Sequence, residues 1–235
     1  MAATRRRRLT GLSSVVISSL RTTPIRGRRR NWFNWGKEYE YAADVDHLGA
    51  TLRLATPSDA PEIGALMRAS VYDLFPGFYA EATSRSAAEY ITKPDMALIS
   101  DGTYYVHEAG GEVVACGGWS KRAKLYVGGA VQEDDDRIIN PATEAARIRA
   151  MFVRADWTRR GLARAILTAC ENAARDAGFS EMTLLATLPG VPLYLAYGFR
   201  EIERYEVELP DGVPMEGVVM TRAITTADPA RVSGI

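Results

Sequence analysis

Arg159, Arg160, Gly161 and Arg164 crowd into one short run, and Tyr194 follows some thirty residues later. The first group has the chemistry of an anion site. Guanidinium groups supply charge, and a glycine lets a ligand approach the backbone. If a helix begins here, its unpaired first-turn N–H groups and positive dipole end attract phosphate. A tight βα turn with solvated arginines would carry the same residues. Tyr194 offers a different capability, because a phenol of ordinary pKa near 10 is still a proton donor at neutral pH.

The elements needed to hold the arginine turn are present on either side of it. Ile148, Ala150 and Phe152 alternate with Arg147, Arg149 and Met151, the period of a strand that buries one face. After Val153 the apolar pattern stops. From Leu162 it resumes with Leu162, Ala165, Ile166, Ala169, Cys170, Ala173 and Ala177, one stripe of a helix, and Gly178 is a natural stop. The helix therefore begins near Arg160 and Gly161.

The full run VRADWTRRGLARAIL resembles motif A of the GNAT acetyltransferases, a valine-ended strand followed by Arg/Gln-x-x-Gly-x-Gly/Ala. Gly161 and Ala163 match its last two positions, and Thr158 stands where the family usually has Arg or Gln. The segment PGVPLYLAYGF resembles a second block, with Tyr194 followed by Gly198 and Phe199. The resemblance covers about Leu52 to Ile224. It implies an α/β fold, a mixed and largely antiparallel sheet flanked by helices, splayed to form an acetyl-coenzyme A cleft. It assigns Arg159, Arg160, Gly161, Leu162, Ala163 and Arg164 to the pyrophosphate. Met151, Phe152 and Val153 fall to the pantetheine arm and the thioester oxygen. Tyr194 falls to the departing sulfur, with Tyr197 as a weaker substitute. Many relatives place a glutamate six residues before the closing valine; here Arg147 holds that position. Glu144, His107, Glu108 or a water relay remain for the base.

Strand and helix signals extend through the rest of the domain. TLRLA at Thr51 to Ala55 reads as a strand, followed by helix-start chemistry at Thr56, Pro57 and Asp59 and a stripe of Ile63, Leu66, Met67, Val71 and Leu74. A less regular helix is expected from Tyr79 to Ile91; Phe78 and Tyr79 are candidates for the acceptor end of the cleft or for the core. Gly102 to Ala109 and Val113 to Trp119 form a hairpin pattern around Gly110 and Gly111. Glu181 to Leu188, Glu201 to Leu209 and Val218 to Ile224 read as further strands. The acidic run Glu133 to Asp136 is a solvated loop or an attractor of a cationic amine.

Composition bounds the remainder. With 47% hydrophobic and 25% charged residues, 235 residues suit one well-buried domain, expected over 47–225 with a loose tail over 226–235. The zero net charge conceals a basic leader over 1–46, expected to be disordered, whose first 37 residues hold nine arginines, Lys37 and no acid. A transit peptide, a tether to nucleic acid or an anionic membrane, a loose twin-arginine signal and a dispensable tail all fit it. Cys116 and Cys170 read as small core residues in a reducing compartment, and His47 and His107 lack metal-site spacing. The expectation is a cytoplasmic N-acetyltransferase, or a mitochondrial one if the leader is a transit peptide. It has no membrane span, no metal and no nucleic-acid role for the domain, and admits a homodimer. The acetyl group of acetyl-coenzyme A would pass to a primary amine of a small molecule or protein by direct attack in a ternary complex; O-acetyl transfer stays open. The alternative is a non-catalytic acyl-coenzyme A sensing module of the same fold.

Overall fold

The structure, a computed structural model, describes residues 49–125 and 136–224; the basic leader, His47, Glu133 to Asp135 and the tail over 226–235 lie outside the described residues. The strands are β1 (Thr51–Leu54), β2 (Tyr104–Ala109), β3 (Glu112–Ser120), β4 (Ala146–Val153), β5 (Glu181–Thr187), β6 (Arg200–Glu208) and β7 (Pro214–Ala223). They form one sheet of order β1-β2-β3-β4-β5-β7-β6. Every neighbouring pair is antiparallel except β4 and β5. The mixed, largely antiparallel sheet that the family resemblance implies is thus observed.

Five helices flank the sheet: α1 (Ala60–Leu74), α2 (Glu81–Tyr90), α3 (Met96–Ser100), α4 (Leu162–Asp176) and α5 (Val191–Tyr197). Alternation along β2 shows the two faces, since Tyr104 and Val106 pack with Ile63 and Met67 of α1 while Tyr105 packs with the group around α4. Fully buried side chains such as Ile63, Leu98 and Ile166 each contribute about 1.5–3 kcal/mol by leaving water. The short α3 was not among the elements expected from the sequence. Asp95 caps it by accepting from the N–H groups of Ala97 and Leu98.

Two expected patterns are corrected. Ile148 and Phe152, expected on one face of β4, lie on opposite faces. Two residues of β4 are opposed to Gly117 between the Cys116–Phe152 and Gly118–Arg149 pairs, and Ala150 sits there at φ 53°. This is a β-bulge, which reverses the parity of everything after it. Arg149, ahead of the bulge and on the face opposite Ile148, is buried as well, ion-paired with Asp95 at 3.0 Å. On α4 the buried stripe includes Leu167, Glu171 and Ala174, whereas Ala165 and Ala173 are half-buried and Ala177 is exposed. Glu171 is buried because Arg222 of β7 meets it at 2.7 Å and the Tyr197 hydroxyl donates to it at 2.8 Å.

Both helix stops around the candidate site have the same construction. Gly178 at φ 90° lets the Phe179 N–H reach the Ala174 carbonyl, and Gly198 at φ 104° lets the Phe199 N–H reach that of Tyr194. Such an ending brings an apolar residue after the glycine back onto the last turn. In α5 it seats Phe199 edge-on to Tyr194, ring centroids 5.6 Å apart. The spacing of Tyr194, Gly198 and Phe199 is thus a helix stop that locks the tyrosine ring.

Candidate active site

The parallel ladder of β4 and β5 joins Ala146 to Met182 and Arg147 to Thr183, then stops. Beyond it β5 keeps its partner β7 through Thr187 and β4 keeps β3 through Val153, so the two strands part. Between them lies a cleft of about 610 Å³, a size suited to a small organic ligand.

At one end of this cleft α4 begins. A short turn at Ala155–Trp157 is closed by the Thr158 hydroxyl, which donates to the Ala155 carbonyl at 2.8 Å. The chain then reverses through Arg159 at φ 63° and Gly161 at φ 92°, backbone that favours glycine at the second position. No side chain caps α4. Its first-turn N–H groups, from Leu162 to Arg164, have no acceptor within the helix and lie on the cleft wall with Arg159 and Gly161. An uncapped helix start flanked by arginines fits a pyrophosphate. Arg160 lies outside the wall: it stacks on Trp157 at 4.4 Å and donates to the Asp156 carbonyl at 3.0 Å. Thr158 also lines the wall, its hydroxyl spent on the turn.

Met151, Phe152 and Val153 line the cleft along β4, and Tyr194 lines it from α5. Burial pushes the Tyr194 phenol well up, so it stays protonated. Gly190 faces its ring, where a Cβ would meet Cε2 at 3.1 Å. Tyr197 is turned away from the cleft, with its hydroxyl on Glu171 and its ring beneath Arg222 at 4.9 Å; burial raises its pKa to about 12.

The three base candidates are engaged elsewhere. Glu144 is bound to Arg137 by both oxygens and accepts from the Asn140 N–H, contacts that hold its carboxyl down at about 2. Glu108 pairs with Arg53 at 2.8 Å. His107 is fully buried under α4, its Nε2 3.2 Å from the Leu162 carbonyl, and burial lowers its pKa. Arg147, at the position where relatives have glutamate, is half-buried on β4, and burial lowers its pKa too.

Sequence reasoning missed the wall opposite α4. Leu74, Phe75, Phe78, Ile91 and Met215 line that end. Phe78 was a candidate, and it lines the cleft. Tyr79 does not; its hydroxyl donates to the Glu216 carbonyl at 2.7 Å and accepts from the Leu188 N–H at 2.8 Å. The signal available was the cluster Phe75-Pro76-Gly77-Phe78-Tyr79 after α1, aromatic residues concentrated in a connection. Among the described residues, no group of His, Cys, Asp and Glu is placed to hold a metal, and no helix is long and apolar enough to cross a membrane.

The open, largely antiparallel sheet that parts at its parallel pair, with an uncapped helix start at the mouth, is the fold of the GNAT acetyltransferases. Residues 68–199 match the model of the acetyltransferase (GNAT) family, and the chain belongs to that family, whose chemistry is acetyl transfer. Among solved structures, it resembles a GCN5-related N-acetyltransferase from Rhodopseudomonas palustris, with 18% identity over 74% of this chain and 95% of that one and a TM-score of 0.56. It also resembles the PaiA N-acetyltransferase from Thermoplasma acidophilum, solved in complex with coenzyme A, with 13% identity over 74% and 98% and a TM-score of 0.52. At these identities the likeness is one of fold. No curated protein sequence matches the chain.

Proposed function

We propose that this protein transfers the acetyl group of acetyl-coenzyme A to a primary amine by direct attack within a ternary complex. The observation that carries this reading is that the uncapped start of α4 and Tyr194 line one cleft. The first-turn N–H groups with Arg159 and Arg164 would hold the pyrophosphate. The open edge of β4 beyond Arg147 would receive the pantetheine arm, and main-chain N–H groups near Phe152 and Val153 would polarise the thioester carbonyl.

The amine attacks as its neutral form. A C–N bond forms, the C–S bond breaks, and the ammonium proton leaves through water at the mouth of the cleft. Tyr194 donates its proton to the departing sulfur, which leaves as the thiol, and the phenolate regains a proton from water in the cleft. Holding both reactants in one cleft supplies proximity, worth about 7–11 kcal/mol at best.

The test begins with thermal unfolding of the full chain, with and without acetyl-coenzyme A, and with Gly161→Glu as control. Ligand at about 100 times its dissociation constant stabilises by about 2.7 kcal/mol, a rise of about 5–10 °C for this size. A rise in the parent that vanishes in the control supports the donor site; a folded parent without a rise removes it. Amine-dependent release of coenzyme A then separates the enzyme from a sensing module, which would bind and release nothing.

A further inference from the structure

The donor elements occupy one face of the parted strands, and the cleft continues through to the other. On that second face α1 packs against β3 and β4, whereas α2 reaches β7. Their connection therefore passes over the opening from one side to the other. It is fastened on the far side by three side chains. Tyr79 bridges the Leu188 N–H and the Glu216 carbonyl, the Thr83 hydroxyl donates to the Pro214 carbonyl at 3.3 Å, and the Ser86 hydroxyl donates to Asp211 at 2.7 Å. Phe75, Ile91 and Met215 pack into one buried cluster on this side.

The chamber so formed is apolar. Leu74, Phe75, Phe78, Ile91 and Met215 wall it, and Phe78 is 51% exposed at its rim. Among the described residues the formal charge on this wall is Arg149, tied to Asp95 behind β4 with its side chain 1% exposed. A second cation entering such a chamber would lose its hydration against carbon, which is costly. An aryl or branched alkyl group would bury surface there, and an aromatic rim suits a flat apolar body.

Resting on the acetyl-transfer reading above, we propose that the acceptor is a small amine carried on an apolar body, enclosed beneath the α1–α2 connection, in preference to a polyamine or a lysine side chain of a protein. The amine end, neutral on entering, points toward β4 and the thioester; the apolar body sits against Phe78 and Met215. A protein surface would have to part the Tyr79, Thr83 and Ser86 contacts before its lysine reached the same place.

The experiment measures coenzyme A release by the full chain with acetyl-coenzyme A and three acceptors of similar basicity: 2-phenylethylamine, spermidine and a short lysine-containing peptide. The expected result is a kcat/KM for 2-phenylethylamine at least about tenfold above either of the others, the scale on which apolar pockets discriminate. Equal rates, or a preference for spermidine or the peptide, overturn the proposal. Phe78→Asp places a carboxylate at the half-exposed rim. It should cut the 2-phenylethylamine preference severalfold toward spermidine while leaving the KM for acetyl-coenzyme A unchanged; unaltered selectivity overturns the assignment of this chamber to the acceptor. The thermal shift with acetyl-coenzyme A keeps the two readings apart. A shift without turnover of 2-phenylethylamine removes the acceptor proposal alone, and no shift removes the donor site beneath it.

Discussion

The hydroxyl of Tyr104 donates to the carbonyl of Ala150 across 3.0 Å, from a fully buried ring on β2 to the bulge of β4. Cys116 gives the same carbonyl only a weak sulfur contact at 3.9 Å. The bulge thus has a dedicated donor, and it is the point at which the strand changes which residues it shows to the cleft. Tyr104→Phe removes that donor without changing the ring. It should cost about 1–3 kcal/mol in urea unfolding with the slope preserved. An unaltered midpoint would mean that β3 alone holds the bulge.

Gly117 and Gly118 should respond unequally to alanine. A Cβ on Gly118 would meet the Thr103 carbonyl oxygen at 2.6 Å and the Tyr104 Cα at 3.1 Å, backbone that cannot yield alone. Gly118→Ala should cost about 1–3 kcal/mol. At Gly117 the nearest atoms are Sδ and Cε of Met151, at 2.5 and 2.7 Å, the far end of a flexible side chain. Gly117→Ala should therefore be milder in stability and push Met151 toward the donor cleft, raising the KM for acetyl-coenzyme A. Equal melting temperatures for the two variants would contradict this.

His107 sets a pH dependence of folding. Burial lowers its pKa below the ordinary value of about 6.5, so below that pH the unfolded chain binds the proton more readily than the folded one. The stability it contributes is complete above about pH 6.5 and declines as the pH falls from there toward the lowered folded value. His107→Gln keeps a donor for the Leu162 carbonyl and removes the titration. Its melting temperature should fall less steeply than the parent's between about pH 6.5 and pH 5; parallel curves would place the acid sensitivity elsewhere.

The two tyrosines of α5 separate chemistry from structure. Tyr194→Phe should lower kcat by about 10²-fold with little change in acetyl-coenzyme A affinity, the lower end of what a positioned acid supplies. Tyr197→Phe removes a hydroxyl from buried Glu171, so it should cost stability and leave kcat near the parent value. A reversed pattern would exchange the roles.

The arginine-turn end of the cleft was legible as structure because its signals are local. Gly161, its arginines and the stripe from Leu162 lie within one βα unit, and Tyr194, Gly198 and Phe199 within one helix stop. The opposite wall depends on contacts distant in the chain, such as Tyr79 with Leu188 and Glu216, which no periodicity encodes. The face of Phe152 was misjudged for a related reason: alternation holds only while the register holds, and Ala150 breaks it against Gly117. The burial of Glu171 likewise depends on a distant partner, Arg222 of β7.

The short ladder at Ala146–Met182 and Arg147–Thr183 also has a mechanical meaning. It divides the sheet into two half-sheets, β1 to β4 and β5 to β7, that share one narrow hinge. A ligand lying between them acts as a wedge bonded to both sides. Amide exchange in β4 beyond Arg147 should consequently slow when the donor is bound, while the β5–β7 ladder, already complete through Thr187, changes little.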